Sequence, residues 1–386
     1  MGKNLCTVIT GTGSYIPETE IPNDYFKEHE FYELNKETGK PIKVKDMPEK
    51  TIETLGNITG IAKRRYLTDS RCTSDIGYEA AQMCLKNSRT NPEELDYIIF
   101  AHNFGDIKFG GAIKEGIDYG NTRIHQVPSL AIKVKGKLGI KNRKTECVDL
   151  LFGCPGWLQG IITAHRNFQG GFGKKALVIG AETLSRVSDP HDRDSMIYAD
   201  GAGATLVEAV ESEEAKGVLS FAIDCSDSTT HNIMKMGETY GEENNERLYF
   251  KMYGREVYKH AVRFVPKVVR ESLKGAGLSL EDIKKILIHQ ANHKLDYAIV
   301  KTLIQDATKE KNERIEREEL DEKIKSIMPM TISDLGNTSV ATIPTLLDLL
   351  MRKKLNNHEL ESGDNIVFAS IGGGGPNINS VVYRMP

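Results

Sequence analysis

The sequence predicts an α/β protein made of two copies of one unit, stacked as a layered sandwich, and three observations carry that reading. Residues 85–100, LKNSRTNPEELDYIIF, fall without a gap onto 273–288, LKGAGLSLEDIKKILI: Leu85 on Leu273, Lys86 on Lys274, Glu93 on Glu281, Leu95 on Ile283. Each copy reads as a helix end, an acidic turn and a buried strand. Gly120-Asn121-Thr122 with Pro128 keeps the spacing of Gly336-Asn337-Thr338 with Pro344, and a helical apolar pattern follows each. The halves also close alike, with glycine-rich, hairpin-like segments at 198–204 and 372–375 ahead of apolar strands. Three matches in the same order mark an internal duplication.

In chain order, residues 148–151 form an apolar strand that breaks at Gly153 and gives way to Pro155, where a helix opens. The runs 176–179 and 285–288 are almost wholly apolar, as in strands of a sheet covered by helices on both faces. The polar link 211–217 sets a boundary between an N-terminal half, 1–215, and a C-terminal half, 216–386. Three polar stretches interrupt the units: 27–50 with His29, Glu30, Tyr32 and Lys36, then 104–126, then the strongly charged 306–328. In the last, Ile315, Leu320, Ile324 and Ile327 make one apolar stripe, so a helix there packs on something.

Composition removes several function classes. A length of 386 residues suffices for two domains or one large duplicated one. With 51 Lys and Arg against 54 Asp and Glu, the net charge of −3 gives no general attraction to nucleic acid or anionic membrane. Cys6, Cys72, Cys84, Cys147, Cys154 and Cys225 show no CxxC spacing, and the N-terminal Met-Gly-Lys-Asn-Leu-Cys lacks a signal-peptide apolar region. A reduced, cytoplasmic protein with no membrane span is expected.

Cys154 is the first candidate for chemistry. A thiol at a helix N-terminus meets unpaired N–H groups and the positive dipole end, which favour thiolate, although a lone cysteine in an apolar run is often only well packed. His289 follows the strand 285–288, a usual place for site residues in α/β sheets, and it is either a proton-exchanging donor or a structural imidazole. The string HQANH, 289–293, differs from the zincin pattern HExxH at Gln290, which lacks the general base, so no metal is assigned. Asn337, in the loop before the helical pattern 343–351, either caps a turn or points its amide N–H at a developing oxyanion. The glycines near 11–13 and 372–375 do not match nucleotide-binding loops, but the N–H of Gly375 can approach a carbonyl oxygen closely.

Cys154, HQAN at 289–292, GNTS at 336–339 and the terminal GGGG together resemble the thiolase superfamily, most closely β-ketoacyl-acyl carrier protein synthase III. GTGSYIP at 11–17, TSDIGYEAA from 73, SRVSDPHDR at 185–193, DGAGA at 200–204 and REVYKHAV at 255–262 extend the similarity along most of the chain. The resemblance implies a thiolase-like five-layer αβαβα sandwich and a homodimer. It implies that Cys154 is acylated by a thioester. His289 and Asn337 then bind the malonyl donor's carbonyl as carbon dioxide leaves, and the N–H groups of Cys154 and Gly375 form the oxyanion hole. Two neutral donors stabilise that charge without a base able to hydrolyse the acyl enzyme. No metal or redox cofactor is required, the substrates being acyl-CoA or acyl carrier protein thioesters.

The same resemblance places Arg186, Asn292 and Lys294 toward coenzyme A or the carrier. Where relatives that start fatty acids carry a Trp and an Arg clamping adenine, this chain has Thr54 and Ile58. A specialised condensing enzyme of fatty-acid or polyketide-type biosynthesis is therefore expected. The cluster Lys133, Lys135, Lys137, Lys141, Arg143 and Lys144 is either a docking patch for an acidic carrier or ordinary solvated charge. Acyl transfer to another nucleophile, non-decarboxylative joining of two acyl chains, and a noncatalytic subunit of a condensing heterodimer remain as alternatives. Asn337 opposes the first, and the presence of Cys154 opposes the last.

Overall fold

The structure is a computed structural model that describes residues 3–35, 40–45, 47–108, 123–241, 247–372 and 377–386. The apolar runs become the strands of two sheets. The first contains β1 (Asn4–Tyr15), β2 (Tyr97–His102), β3 (Glu146–Leu151), β4 (Lys175–Thr183) and β5 (Asp200–Ser212), in the order β1-β5-β4-β2-β3. The second contains β6 (Gly217–Asp224), β7 (Ile283–Ile288), β8 (Asn365–Gly372) and β9 (Asn377–Arg384), in the order β6-β9-β8-β7. The two orders are the same path through a sheet, the second stopping one strand short. In both, neighbouring strands run parallel and the next strand returns antiparallel, a glycine-rich one in the first sheet. The duplicated segment appears twice as helix, 3₁₀ turn and parallel strand: α2 (Thr73–Ser88) leads to β2, and α5 (Gly254–Ala276) leads to β7.

Strand alternation sorts the core into layers. Ile98, Phe100, Leu177 and Ile179 point outward, onto α2 and α3 (Leu130–Lys137). Ile99 and Val178 point inward, onto α4 (Gly156–Gln169) and α8 (Thr342–Met351). Those two helices meet Leu287, Ile366 and Phe368 of the second sheet on their other side. The far face of that sheet, through Ile286, Ile288, Val367 and Ala369, packs on α5 and on α6 (His293–Glu310). The result is the five-layer αβαβα sandwich.

Where the halves press together, side chains are lost or paired. A Cβ on Gly180 would stand 2.6 Å from the carbonyl oxygen of Val340, so only glycine admits the second half at that depth. Asp348 on α8 is fully buried and accepts from the hydroxyls of Thr12 (2.9 Å) and Ser14 (2.6 Å) on β1. The segment 198–204 is not a hairpin: β5 begins at Asp200, with Gly201 opposite Glu182 and Gly203 opposite Gly180 in an ordinary ladder. Its glycines serve close approach, since a Cβ on Gly203 would meet the Thr345 nitrogen at 2.8 Å.

The polar insertions form small additions. The first makes a ribbon of Tyr32–Leu34 with Pro41–Lys43 and leads into α1 (Pro48–Thr59). The second begins and ends in a ribbon of Asp106–Lys108 with Arg123–His125, while 109–122, and with it the first copy of the Gly-Asn-Thr match, lies outside the described residues. The third completes α6 and forms α7 (Arg317–Ile327), with Leu320 and Ile324 buried in the outer core. Ile315 packs there too, though it precedes the helix. Among the described residues, no helix is long and apolar enough to cross a membrane.

Replacing Asp348 with Ala strands two buried hydroxyls and is expected to cost roughly 2–4 kcal/mol. Thermal unfolding checks it: Asp348→Ala should melt well below Asp348→Asn, which keeps one acceptor, and equal melting would discount the pairing.

Candidate active site

At the end of β3 the chain turns through Gly153, whose φ of +69° is available to glycine without strain, and enters α4 with the Gly156 N–H donating to the Gly153 carbonyl at 2.7 Å. Cys154 sits in that turn. Its Sγ lies 3.3 Å from the Ser339 Oγ, a contact between the two halves of the chain. Gly372, at the end of β8 with φ +150°, closes over the sulfur so tightly that a Cβ there would stand 2.7 Å from Sγ. Burial pushes the thiol up to about 11, the Ser339 hydrogen bond draws it down, and the Glu182 carboxyl pushes it up again. The helix N-terminus therefore does not dominate as the sequence suggested, because desolvation of the charged form is the larger effect.

His289 follows β7, its N–H donating to the Ala369 carbonyl at 2.8 Å, which fixes it beside the strand that ends at Gly372. It is buried, and burial lowers its imidazole to about 4, so it is neutral at physiological pH. Its Nδ1 has no hydrogen-bond partner among the described residues. Asn337 is buried in the loop before α8. Its Oδ1 accepts the Ser339 N–H at 2.8 Å, which turns the amide so that Nδ2–H is left to donate. Backbone bonds to Ile197 (3.0 Å) and Ala199 (2.9 Å) hold that loop against the first half. Cys154 and Asn337 thus meet at Ser339, Gly372 closes against the sulfur, and His289 is held to Ala369 on the strand that ends at Gly372; Cys154 and His289 both follow the carboxyl ends of parallel strands.

A cavity of about 680 Å³ opens beside Asn337, walled by α1, the start of α5 and the start of α6. Thr54 and Ile58, the positions expected to lack an adenine clamp, line it together with Asn337. Asn292 lines it as well, although its Oδ1 is occupied in capping α6 through the N–H groups of Lys294 (2.9 Å) and Leu295 (3.2 Å). Arg186 does not line this cavity: it is fully buried, and its guanidinium donates to the carbonyls of Leu67 (3.1 Å), Asp69 (3.0 Å) and Ile107, where it ties loops together and cannot reach a phosphate. Lys294 faces a second, cationic groove on the other side of the α6 N-terminus. Gly375 lies outside the described residues, and Gly372 is the glycine seen against the sulfur. In the lysine cluster of 133–144, Lys133 bonds to buried Asp106, Lys135 to the Thr145 carbonyl and Lys137 to Asp75, so these three are engaged in holding α3.

Two further groups escaped sequence reasoning. Asn103, after β2, donates its amide to the Ser339 Oγ at 3.2 Å. Glu182, wholly buried in β4, accepts the Asn103 N–H at 2.7 Å and is raised to about 7 by burial. A lone glutamate in the apolar run Leu177-Val178-Ile179-Gly180-Ala181-Glu182 was a visible signal, but nothing local connected it to Cys154.

The architecture and this half-buried thiol, held by Ser339 and Gly372 where the two halves meet, define the chain as a thiolase-fold condensing enzyme. The sequence model for 3-oxoacyl-[acyl-carrier-protein] synthase III matches residues 148–227, and the model for its C-terminal part matches 273–385. A β-ketoacyl-[acyl-carrier-protein] synthase III of Halalkalibacterium halodurans is 30% identical over 367 residues, 95% of each chain, and one of Staphylococcus haemolyticus is 29% identical with the same coverage. The crystal structure of the Aquifex aeolicus 3-oxoacyl-[acyl-carrier-protein] synthase III superposes with a TM-score of 0.73 at 27% identity, covering 98% of this chain and 99% of that one. The chain belongs to the 3-oxoacyl-[acyl-carrier-protein] synthase III family, and it is an acyltransferase of the β-ketoacyl synthase type.

Two measurements check the site. Gly372→Ala should cut modification of Cys154 by iodoacetamide at least tenfold without unfolding the protein, because the added methyl occupies the approach to sulfur; an unchanged rate would place the glycine elsewhere in solution. In an NMR titration the His289 ring resonances should stay constant from pH 8 to about 5 and move only near 4, whereas a midpoint near 6.5 would show a solvated imidazole.

Proposed function

We propose that Cys154 is the nucleophile of a decarboxylative Claisen condensation in which His289 and Asn337 hold the donor. What supports this reading is a thiol held between Ser339 and Gly372, an Asn337 amide whose Oδ1 is taken by the Ser339 N–H so that Nδ2–H is left to donate, and a buried neutral imidazole at His289 whose Nδ1 has no partner among the described residues. In the first half-reaction the Cys154 sulfur attacks the carbonyl of an acyl thioester, a new C–S bond forms, and the departing thiolate takes up the proton that Cys154 gave up. In the second, a malonyl thioester binds with its thioester carbonyl oxygen between the imidazole N–H and the amide N–H. Its C–CO₂⁻ bond breaks, carbon dioxide leaves, and the electron pair moves into an enolate whose oxygen those donors stabilise. The enolate carbon attacks the acyl carbonyl, the C–S bond to Cys154 breaks, and the thiol is regenerated by uptake of a proton.

Neutrality of His289 matters here. An imidazole lowered to about 4 stays a donor throughout the working range and never competes for the proton of the enolate. No step calls on a metal or redox cofactor, so treatment with a chelator should leave turnover unchanged, and restoration of a lost rate by a divalent ion would contradict the scheme. We read the chain as a homodimer, as the family resemblance implies, acting in the cytoplasm, as the scattered cysteines suggest. Missing the adenine clamp, it takes an acyl group other than a simple acetyl starter, from acyl-CoA or an acyl carrier protein, for specialised fatty-acid or polyketide-type products.

The cationic groove beside the α6 N-terminus is the better candidate for carrier docking than the lysine cluster on α3. Lys294, Lys301 and Lys354, with Arg317 paired to Asp321 and Lys325 to Glu322, surround a floor of Ile324, Met328 and Leu355, within one helical turn of the residues that line the cavity. An acidic carrier seated there can pass its thioester arm over Asn292 toward Asn337.

Intact-mass analysis tests the nucleophile: acyl thioesters should add one acyl group to the wild type and none to Cys154→Ala. Asn337→Ala should still acylate while condensation falls about 10²–10³-fold, the size typical for loss of one oxyanion donor. Acylation lost together with condensation would remove the assigned role. Lys294→Glu with Lys301→Glu should raise KM for carrier-bound substrate while sparing small thioesters, and equal effects on both would argue against docking.

A further inference from the structure

Behind Cys154 runs a line of hydrogen bonds that the scheme above does not use. Ser339 Oγ lies 3.3 Å from Sγ, receives the Asn103 amide N–H at 3.2 Å, and the Asn103 backbone N–H is in turn held at 2.7 Å by the buried Glu182 carboxyl. The direction of these bonds is set by chemistry. Asn103 Nδ2 can only donate, so it occupies an acceptor lone pair of the Ser339 oxygen and leaves the hydroxyl proton for another partner. An ionised Cys154 sulfur can only accept. The Ser339 O–H therefore turns to sulfur whenever the thiolate forms, and the bond becomes charge-assisted.

Two features show that the position is built for this contact. Ser339 has φ +51°, a left-handed conformation that a serine adopts at a cost, and its N–H is tied to the Asn337 side chain at 2.8 Å. The Glu182 Oε1 is buried with no partner among the described residues, so the carboxyl is kept in an apolar strand for something other than its own satisfaction.

We infer that Ser339 is the positioning residue that sets the acidity of Cys154, with Asn103 orienting its hydroxyl and Glu182 anchoring Asn103 at the expense of a nearby negative charge. This rests on Cys154 being the nucleophile. Ser339 does not take the thiol proton; it stabilises the anion left behind. Glu182 acts in the opposite sense, since its ionisation raises the thiol. The site thus couples one group that eases ionisation to another that resists it, and protonation of Glu182 near neutral pH favours the reactive thiolate.

The test compares the iodoacetamide reaction of Cys154, read at its own peptide by mass spectrometry, among wild type, Ser339→Ala, Ser339→Gly and Glu182→Gln. Both serine variants should react roughly tenfold more slowly at pH 8, the size of about one pKa unit. Glycine suits the left-handed backbone and separates loss of the hydroxyl from strain. Glu182→Gln keeps an acceptor for Asn103 but removes the charge, so it should react faster than wild type. Decarboxylation of a malonyl thioester should persist in the serine variants, because the N–H that orients Asn337 is retained. Unchanged alkylation in Ser339→Ala and Ser339→Gly would overturn the inference, as would a parallel fall in alkylation and decarboxylation. Slower reaction in Glu182→Gln would remove the role given to the carboxyl. Alkylation needs no acyl substrate, so a wild type that never forms an acyl adduct would defeat the proposed function while leaving this comparison readable.

Discussion

Between the two sheets, α4 and α8 share one apolar layer in which Trp157 and Phe368 meet edge-on at 5.5 Å and Ile343, Leu346 and Leu347 fill the remaining depth. This shared layer is what every feature of the site depends on. It places the N-terminus of a helix from the first half beside the loop that precedes a helix from the second half, so that a sulfur at 154 and a hydroxyl at 339 come within hydrogen-bond reach. Neither half contains the site alone. The absence of a side chain at Gly180 and the burial of Asp348 against Thr12 and Ser14 belong to the same constraint, because both set how far the second half enters the first.

That depth has an electrostatic consequence. Enclosing the thiol, the imidazole and the Glu182 carboxyl disfavours the charged form of each, so at neutral pH the thiol, raised to about 11, and the imidazole, lowered to about 4, rest uncharged while the carboxyl, raised to about 7, is only partly ionised. Such an environment suits chemistry in which negative charge appears briefly on a substrate oxygen, since preoriented dipoles act strongly where water is excluded. It also means that the thiolate has to be stabilised locally, by groups such as the Ser339 hydroxyl.

Around this common centre, the periphery is particular to the chain. The first insertion supplies a ribbon ahead of α1, and Thr54 and Ile58 bring small and aliphatic side chains to the cavity wall. The third insertion adds α7, whose buried Leu320 and Ile324 attach it to the outer core while its charged face borders the cationic groove. Solved structures of lower identity share the architecture: a priming β-ketosynthase of a polyketide pathway superposes with a TM-score of 0.73 at 22% identity, and a tetronic acid condensing enzyme with 0.72 at 16%.

The sequence by itself determined the duplication, the strand and helix segments on either side of Cys154, and the three motifs that carry Cys154, His289 and Asn337. These are legible because apolar periodicity and turn residues act over a few neighbours. Only the tertiary structure decided that the glycines of 200–204 belong to a long strand, that Arg186 is spent on carbonyls in the interior, that Lys294 faces away from the cavity, and that burial overrides the helix N-terminus at the thiol. It likewise brought Asn103 to Ser339 across 236 residues of chain and Glu182 to Asn103 across 79. Contacts at such separation arise from how layers pack, and the desolvation they impose depends on the whole enclosure, which no local pattern encodes.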